Sequence, residues 1–143
     1  MMKKFVRILT LMLAALMLLL TLASCAPAKD ADKAVEALKK DGYLADQDTR
    51  ILPAIFKLAG YSLSSVVTAT KTETDKDGNK TVEFVCIYYF ADKDNAEKAL
   101  AEVEKYADED KESEDTKEDN WVAPKRSGSM VYYGTKAAIK AAK

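Results

Sequence analysis

The chain holds two thiols, Cys25 and Cys86, and no histidine to activate either of them. Ser-His-Asp and Cys-His catalysis and histidine-ligated metal centres are therefore excluded. A thiol reacts as its thiolate and needs access to solvent or substrate. Cys86 lies in the β-prone run Thr81 to Phe90, flanked on its own face by Phe84 and Tyr88, and reads as a core thiol. Cys25 follows Leu22-Ala23-Ser24, whose small residues leave the backbone open to a peptidase, and its sulfur is a group that a diacylglyceryl donor alkylates.

The carboxylates give weaker signals. Asp75, Asp77 and Asn79 alternate like the opening of a calcium-binding EF-hand loop, but the glycine stands at the fourth position of such a loop and Cys86 at the twelfth. The sixth position needs that glycine and the twelfth a bidentate glutamate, so a plain hairpin turn is expected. Asp108 to Asp119 carries eight acidic side chains against Lys111 and Lys117, with no spacing that closes a cage, and reads as a solvated connection. Asp92 or Asp94 beside Tyr88 or Tyr133 is the pairing that a small carboxylate enzyme would need. Tyr88, Trp121 and Tyr133 would instead form a ligand or partner platform if one sheet face were left bare. Ser127-Gly128-Ser129 is a turn, without the glycine spacing of a nucleophile elbow. No catalytic residue, metal site or cofactor is expected.

The amino terminus differs in kind from the rest. Met1 to Arg7 is basic, and Ile8 to Leu22 is apolar apart from Thr10 and Thr21, which is the pattern of a secretory signal. Leu22-Ala23-Ser24-Cys25 resembles the lipobox of bacterial lipoproteins, in which an apolar residue and two small ones precede the cysteine. That resemblance implies cleavage of residues 1–24, thioether lipidation of Cys25, and a mature chain on the extracytoplasmic face of the cell membrane. An uncleaved spanning helix over Ile8 to Ala28 would give the same topology; a cytoplasmic protein with a buried amino-terminal helix would not. With Cys25 lipidated, Cys86 has no partner for an intrachain disulfide, and the core alone must hold the fold. Losing Lys3, Lys4 and Arg7 from 22 basic side chains leaves 19 against 23 acidic ones, a net charge of −4. Nucleic acid is not expected as a partner.

These residues sit on a regular alternation of elements. Residues 25–30 form a short tether, and residues 31–143 a single α+β domain with an acidic connection at 107–120. Asp30 or Asp32 caps a helix that ends at Gly42, and Asp48 or Thr49 caps a second one, holding Ile51, Leu52, Ile55, Phe56 and Leu58, that ends at Gly60. Tyr43 to Asp46 is at best a short extended segment. Ser65 to Thr74 and Thr81 to Phe90 form a hairpin around Asp77-Gly78, and the second strand is apolar on both faces, as a central strand is. A helix from Asp92 or Asp94 to about Tyr106 follows, then a hairpin around Gly128 and a closing helix capped by Thr135. Ile87-Tyr-Tyr-Phe-Ala-Asp echoes Val131-Tyr-Tyr-Gly-Thr-Lys, so two hairpin-helix units are expected. Their simplest packing is a mainly antiparallel sheet of about four strands with helices on one face, in an order that a permuted ferredoxin-like sandwich would also give.

Beyond the lipobox, the Tyr88-Tyr89-Phe90 and Val131-Tyr-Tyr-Gly-Thr-Lys136 blocks are similar to those of small lipoproteins of Firmicute-like bacteria, a resemblance that carries no activity. The function expected is a non-enzymatic, lipid-anchored module that meets an envelope protein or small ligand close to the membrane. A carboxylate-dependent enzyme and a structural or inhibitory subunit docking by a β-edge are the alternatives. Lys125, Arg126, Lys136, Lys140 and Lys143 make the carboxy-terminal end basic, suited to anionic phospholipid or an acidic partner.

Overall fold

A computed structural model describes residues 26–113 and 120–143. The expected signal segment 1–24, Cys25 and residues 114–119 of the acidic connection lie outside the described residues. The element order is α1 (Ala31–Lys40), β1 (Leu44–Asp48), α2 (Ile51–Leu58), β2 (Leu63–Thr74), β3 (Lys80–Phe90), α3 (Lys93–Ser113), β4 (Trp121–Ser127), β5 (Met130–Thr135) and α4 (Lys136–Ala141). The strands form one open antiparallel sheet in the order β1-β2-β3-β5-β4.

Local chemistry starts and stops these helices. The Asp30 carboxylate accepts from the Asp32 and Lys33 N–H groups at 2.9 and 3.2 Å, a cap that contributes about 1 kcal/mol. Asp48 does the same for α2, accepting from the N–H groups of Arg50, Ile51 and Leu52. Both α1 and α2 end in one hydrogen-bond pattern. At Gly42 and Gly60 the backbone turns left-handed, Tyr43 N–H donates to Leu38 O at 3.0 Å, and Tyr61 N–H donates to Phe56 O at 2.9 Å. The repeated Gly-Tyr is thus the same helix stop used twice, as its sequence suggests.

Packing departs from the expected one-faced arrangement. Every residue of β3 from Phe84 to Phe90 is buried, which requires cover on both sides of the sheet. α1 and α4 cover the side carrying Val67, Val85, Ile87, Tyr89, Met130 and Tyr132. α2 and α3 cover the opposite side, carrying Val66, Phe84, Cys86, Tyr88, Val131 and Tyr133. Helices on one face, and with them the permuted ferredoxin-like sandwich, are therefore corrected: β3 is apolar on both faces, and one layer of helices would leave half of it in water. The two hairpin-helix units send their helices to opposite faces. Leu44–Asp48, despite weak β-propensity, is a fifth strand on the edge of β2.

Three local expectations also change. α3 does not stop near Tyr106 but continues to Ser113, because Ala107 and Asp110 still face the sheet. Thr135 occupies the N-cap position of α4, yet its hydroxyl bonds across the sheet, accepting from Phe84 N–H at 3.1 Å and donating to Phe84 O at 3.3 Å. The tether, from Ala26 on, is part of the domain. Pro27 is buried, Ala28 N–H donates to Ala142 O at 2.8 Å, and the Tyr89 hydroxyl donates to Ala28 O at 2.7 Å.

β5 and β3 approach each other closely at Gly134, where an added Cβ would lie 2.2 Å from Phe84 O and 2.8 Å from Val85 Cα. Neither neighbour is a side chain that can swing away. Gly134→Ala is expected to destabilise the domain by roughly 2 kcal/mol or more in urea unfolding; a change under about 0.5 kcal/mol would contradict this close approach.

Candidate functional site

Two arrangements bring polar side chains together, one inside the domain and one on its surface. The inner one lies under α3. Ala96, Ala99, Val103 and Ala107 form its inward stripe, and these small residues leave room for rings on the sheet beneath. Phe56 packs there against Tyr61, Tyr88, Phe90 and Tyr106 with ring centroids 5.6–6.2 Å apart. Trp121, from edge strand β4, stacks on Phe84 at 6.2 Å and meets Tyr133 at 5.9 Å.

Within this apolar layer runs a chain of polar contacts. The Tyr133 hydroxyl donates to the Asp110 carboxylate, the Tyr88 and Tyr133 oxygens are 3.4 Å apart, and Thr68 Oγ1 lies 4.0 Å from Cys86 Sγ. Burial pushes the Cys86 thiol up to about 12 and both tyrosine hydroxyls well above their usual range. Burial likewise raises Asp110, against the lowering effect of the Tyr133 hydrogen bond. At neutral pH the cysteine and the tyrosines are thus neutral, and a thiol so held is a poor nucleophile. The arrangement satisfies polar atoms inside an aromatic core, as buried polar groups require.

The structure therefore brings together the three aromatic residues singled out in the sequence, but not as a platform. Tyr88 and Tyr133 are fully buried, and Trp121 is half-buried. The sheet face that would have exposed them is covered by α3. The carboxylate that reaches Tyr133 is Asp110, not Asp92 or Asp94. Asp92 accepts from Asn95 N–H at 2.8 Å and caps α3, and this bond lowers its carboxyl. Asp110 continues the inward stripe three residues beyond Ala107, a helical-spacing signal hidden by its acidic neighbours. Cys25, the expected lipid-attachment residue, lies outside the described residues.

The remaining acidic signals resolve as backbone chemistry. Asp75 accepts from the Asp77 and Asn79 N–H groups, both at 2.9 Å, so its carboxylate closes the β2–β3 turn and is held below its usual value by those bonds. Among the described residues no group of three or more acidic or thiol side chains is arranged to hold a metal ion. The open edges are blunted: β1 is five residues long with Asp46 and Asp48, and β4 carries Pro124 and a break in register between Val122 and Lys125.

The outer arrangement is a cleft of about 360 Å³ on the α1/α4 side of the sheet. β4 and β5 supply Val122, Lys125 and Tyr132, and α4 with the last residue supplies Lys136, Ile139, Lys140 and Lys143. Four lysines thus line the cleft together with one ring and two aliphatic side chains. Arg126, alternating to the other side of β4, donates instead to Gly128 O at 3.1 Å. None of the four lysines forms an ion pair among the described residues. Such a cleft suits an anionic group attached to a small apolar body. No family model, curated protein or solved structure matches the chain.

Three measurements follow from the inner network. Cys86 is expected to resist alkylation in the native protein at pH 8 and to react fully in denaturant; rapid native labelling would contradict its burial. Tyr133→Phe should cost about 1–2 kcal/mol in urea unfolding, since it leaves the half-buried Asp110 carboxylate without its donor. Because the folded-state value of Asp110 is raised above 3.8, its protonated form adds stability that is complete below that pH and is lost as pH rises through the folded value. Asp110→Asn should remove that loss, seen as a difference between the stability-versus-pH curves of variant and parent.

Proposed function

We propose that the chain is a lipid-anchored, extracytoplasmic interaction module that catalyses no reaction and binds an anionic component of the cell envelope in the lysine-ringed cleft. The observation that carries the binding half is the convergence of Lys125, Lys136, Lys140 and Lys143 on Val122, Tyr132 and Ile139, with no counter-acid paired to them among the described residues. The neutral, enclosed state of Cys86, Tyr88 and Tyr133 supports a non-enzymatic role. The anchoring half rests on the signal-like amino terminus and the lipobox resemblance at Leu22-Ala23-Ser24-Cys25. Ala28, three residues beyond Cys25, is already hydrogen-bonded to the domain, so a lipid on Cys25 would hold the cleft close to the bilayer.

Each half has its own test. Phenyl phosphate should shift the backbone amide resonances of residues 122–125, 132 and 136–143, and phenol at equal concentration should not. Reversing two charges with Lys136→Glu and Lys140→Glu should weaken phenyl phosphate by about tenfold, the scale of two exposed ion pairs. Equal shifts from phenol, or none from either compound, would sink the cleft as an anion site. In cells, Cys25→Ser should abolish lipidation and leave a precursor that retains residues 1–24, and unchanged maturation would sink the anchor.

A further inference from the structure

α2 carries apolar side chains on two faces. Phe56 is buried against the rings of Tyr88 and Phe90, with Leu52 half-buried one turn earlier. On the outer side Ile51, Ile55 and Leu58, spaced four and three residues apart, form a second stripe that is 69, 45 and 91% exposed. Three large aliphatic side chains aligned in water on one helix face form an exposed apolar patch of the kind that interaction surfaces present.

The topology shows what lies beside this stripe. Tyr89 and Phe90 are neighbours at the end of β3 and point to opposite sides of the sheet. The Tyr89 hydroxyl holds Ala28, where the chain enters from Cys25, and the Phe90 ring packs on Phe56 of α2. Phe90 also pairs with Leu63, the first residue of β2 after α2. The chain entry and the apolar stripe therefore share one end of the sheet. α3 carries its acidic turns away from that end, since Asp110 meets Tyr133, which pairs with Cys86, four residues back along β3.

Charge at the shared end is compatible with an anionic surface. Arg50 and Lys57, both exposed, flank the stripe. Asp30, Asp48 and Asp92 turn their carboxylates to backbone N–H groups at the starts of α1, α2 and α3. Asp32 and Asp94 are exposed near the same helix starts, so attraction there is modest and apolar burial is the main force.

From this placement we infer that the Ile51/Ile55/Leu58 face of α2 seats in the interfacial layer of the same phospholipid bilayer that holds the lipid on Cys25. The inference rests on the lipid-anchor reading and goes beyond it, because an anchor alone leaves the domain free to tumble on its tether. Two attachments at one end fix its orientation: the stripe enters the headgroup layer, and the β2–β3 hairpin and the acidic end of α3 point away from the bilayer. The lipid supplies a high local concentration, which lets a stripe of only three side chains bind where it would not do so alone.

The test uses the mature lipidated chain in vesicles of phosphatidylcholine and phosphatidylglycerol. An environment-sensitive fluorophore is placed at Leu58→Cys, at Ile55→Cys, and at Asp77→Cys in the hairpin turn, with Cys86 buried and Cys25 occupied by lipid. At positions 55 and 58 emission should shift to the blue and aqueous iodide should lose access, while the label at 77 should behave as in water. Vesicle flotation reports the anchor separately. A chain that floats with labels 55 and 58 still in water overturns the seating and leaves the anchor standing; a chain that does not float overturns both. Loss of iodide access at 55 and 58 without vesicles, in a protein sedimenting as a dimer, would assign the stripe to a second copy and overturn the proposal. Immersion of the label at 77 together with those at 55 and 58 would also overturn the orientation.

Discussion

A strand that is apolar on both faces cannot be half-covered, and β3 imposes that constraint on this domain. From Phe84 to Phe90 each of its residues is buried, with Phe84, Cys86, Tyr88 and Phe90 on one side and Val85, Ile87 and Tyr89 on the other. Apolar area is stabilising only when removed from water, at about 25 cal/mol per Å². The four helices among the described residues therefore divide two and two, and the sheet becomes the middle layer of three. That division also fixes how the chain enters. Ala26 and Ala28 complete the α1/α4 layer, and the Tyr89 hydroxyl, which needs a partner once buried, finds it at Ala28 O.

Much of the local structure was legible because it rests on local chemistry. Asp30 and Asp48 cap the first two helices, Gly42 and Gly60 stop them, and Asp75 to Asn79 closes a hairpin. The buried state of Cys86 follows from alternation along Thr81 to Phe90. What could not be read depends on tertiary placement. Leu44-Ala-Asp-Gln-Asp has little strand preference and is a strand because β2 presents an open edge. Asp110 sits in a run that looks solvated, yet helical spacing turns it inward to Tyr133. Thr135 has the residue type of a cap, but the cross-sheet contact to Phe84 takes its hydroxyl. Which apolar residues of α2 would be buried was not legible either, because hydrophobicity alone does not say which of two apolar faces a helix will bury.

The same division separates the polar groups of this protein into those that stabilise and those that can meet another molecule. Cys86, Tyr88 and Tyr133 lie within the α2/α3 layer, where burial keeps them neutral, with Tyr133 contacting both Tyr88 and Asp110, and Cys86 beside Thr68. Thin α4, only six residues long, leaves its lysines around an open cleft on the other layer. The apolar stripe of α2 and the entry of the chain stand on opposite layers at one end of the sheet. The proposed anion cleft and the stripe proposed to meet the bilayer therefore lie on opposite layers of the sheet.

Both surfaces acquire their proposed meaning from what Cys25 carries, and the intact mass of the mature protein extracted from its native membrane reports that directly. The predicted result is a chain beginning at Cys25 whose mass exceeds that of residues 25–143 by a diacylglyceryl group, with or without a further acyl chain. A product that retains Met1 to Ser24, or begins at Cys25 with its thiol unmodified, would contradict it.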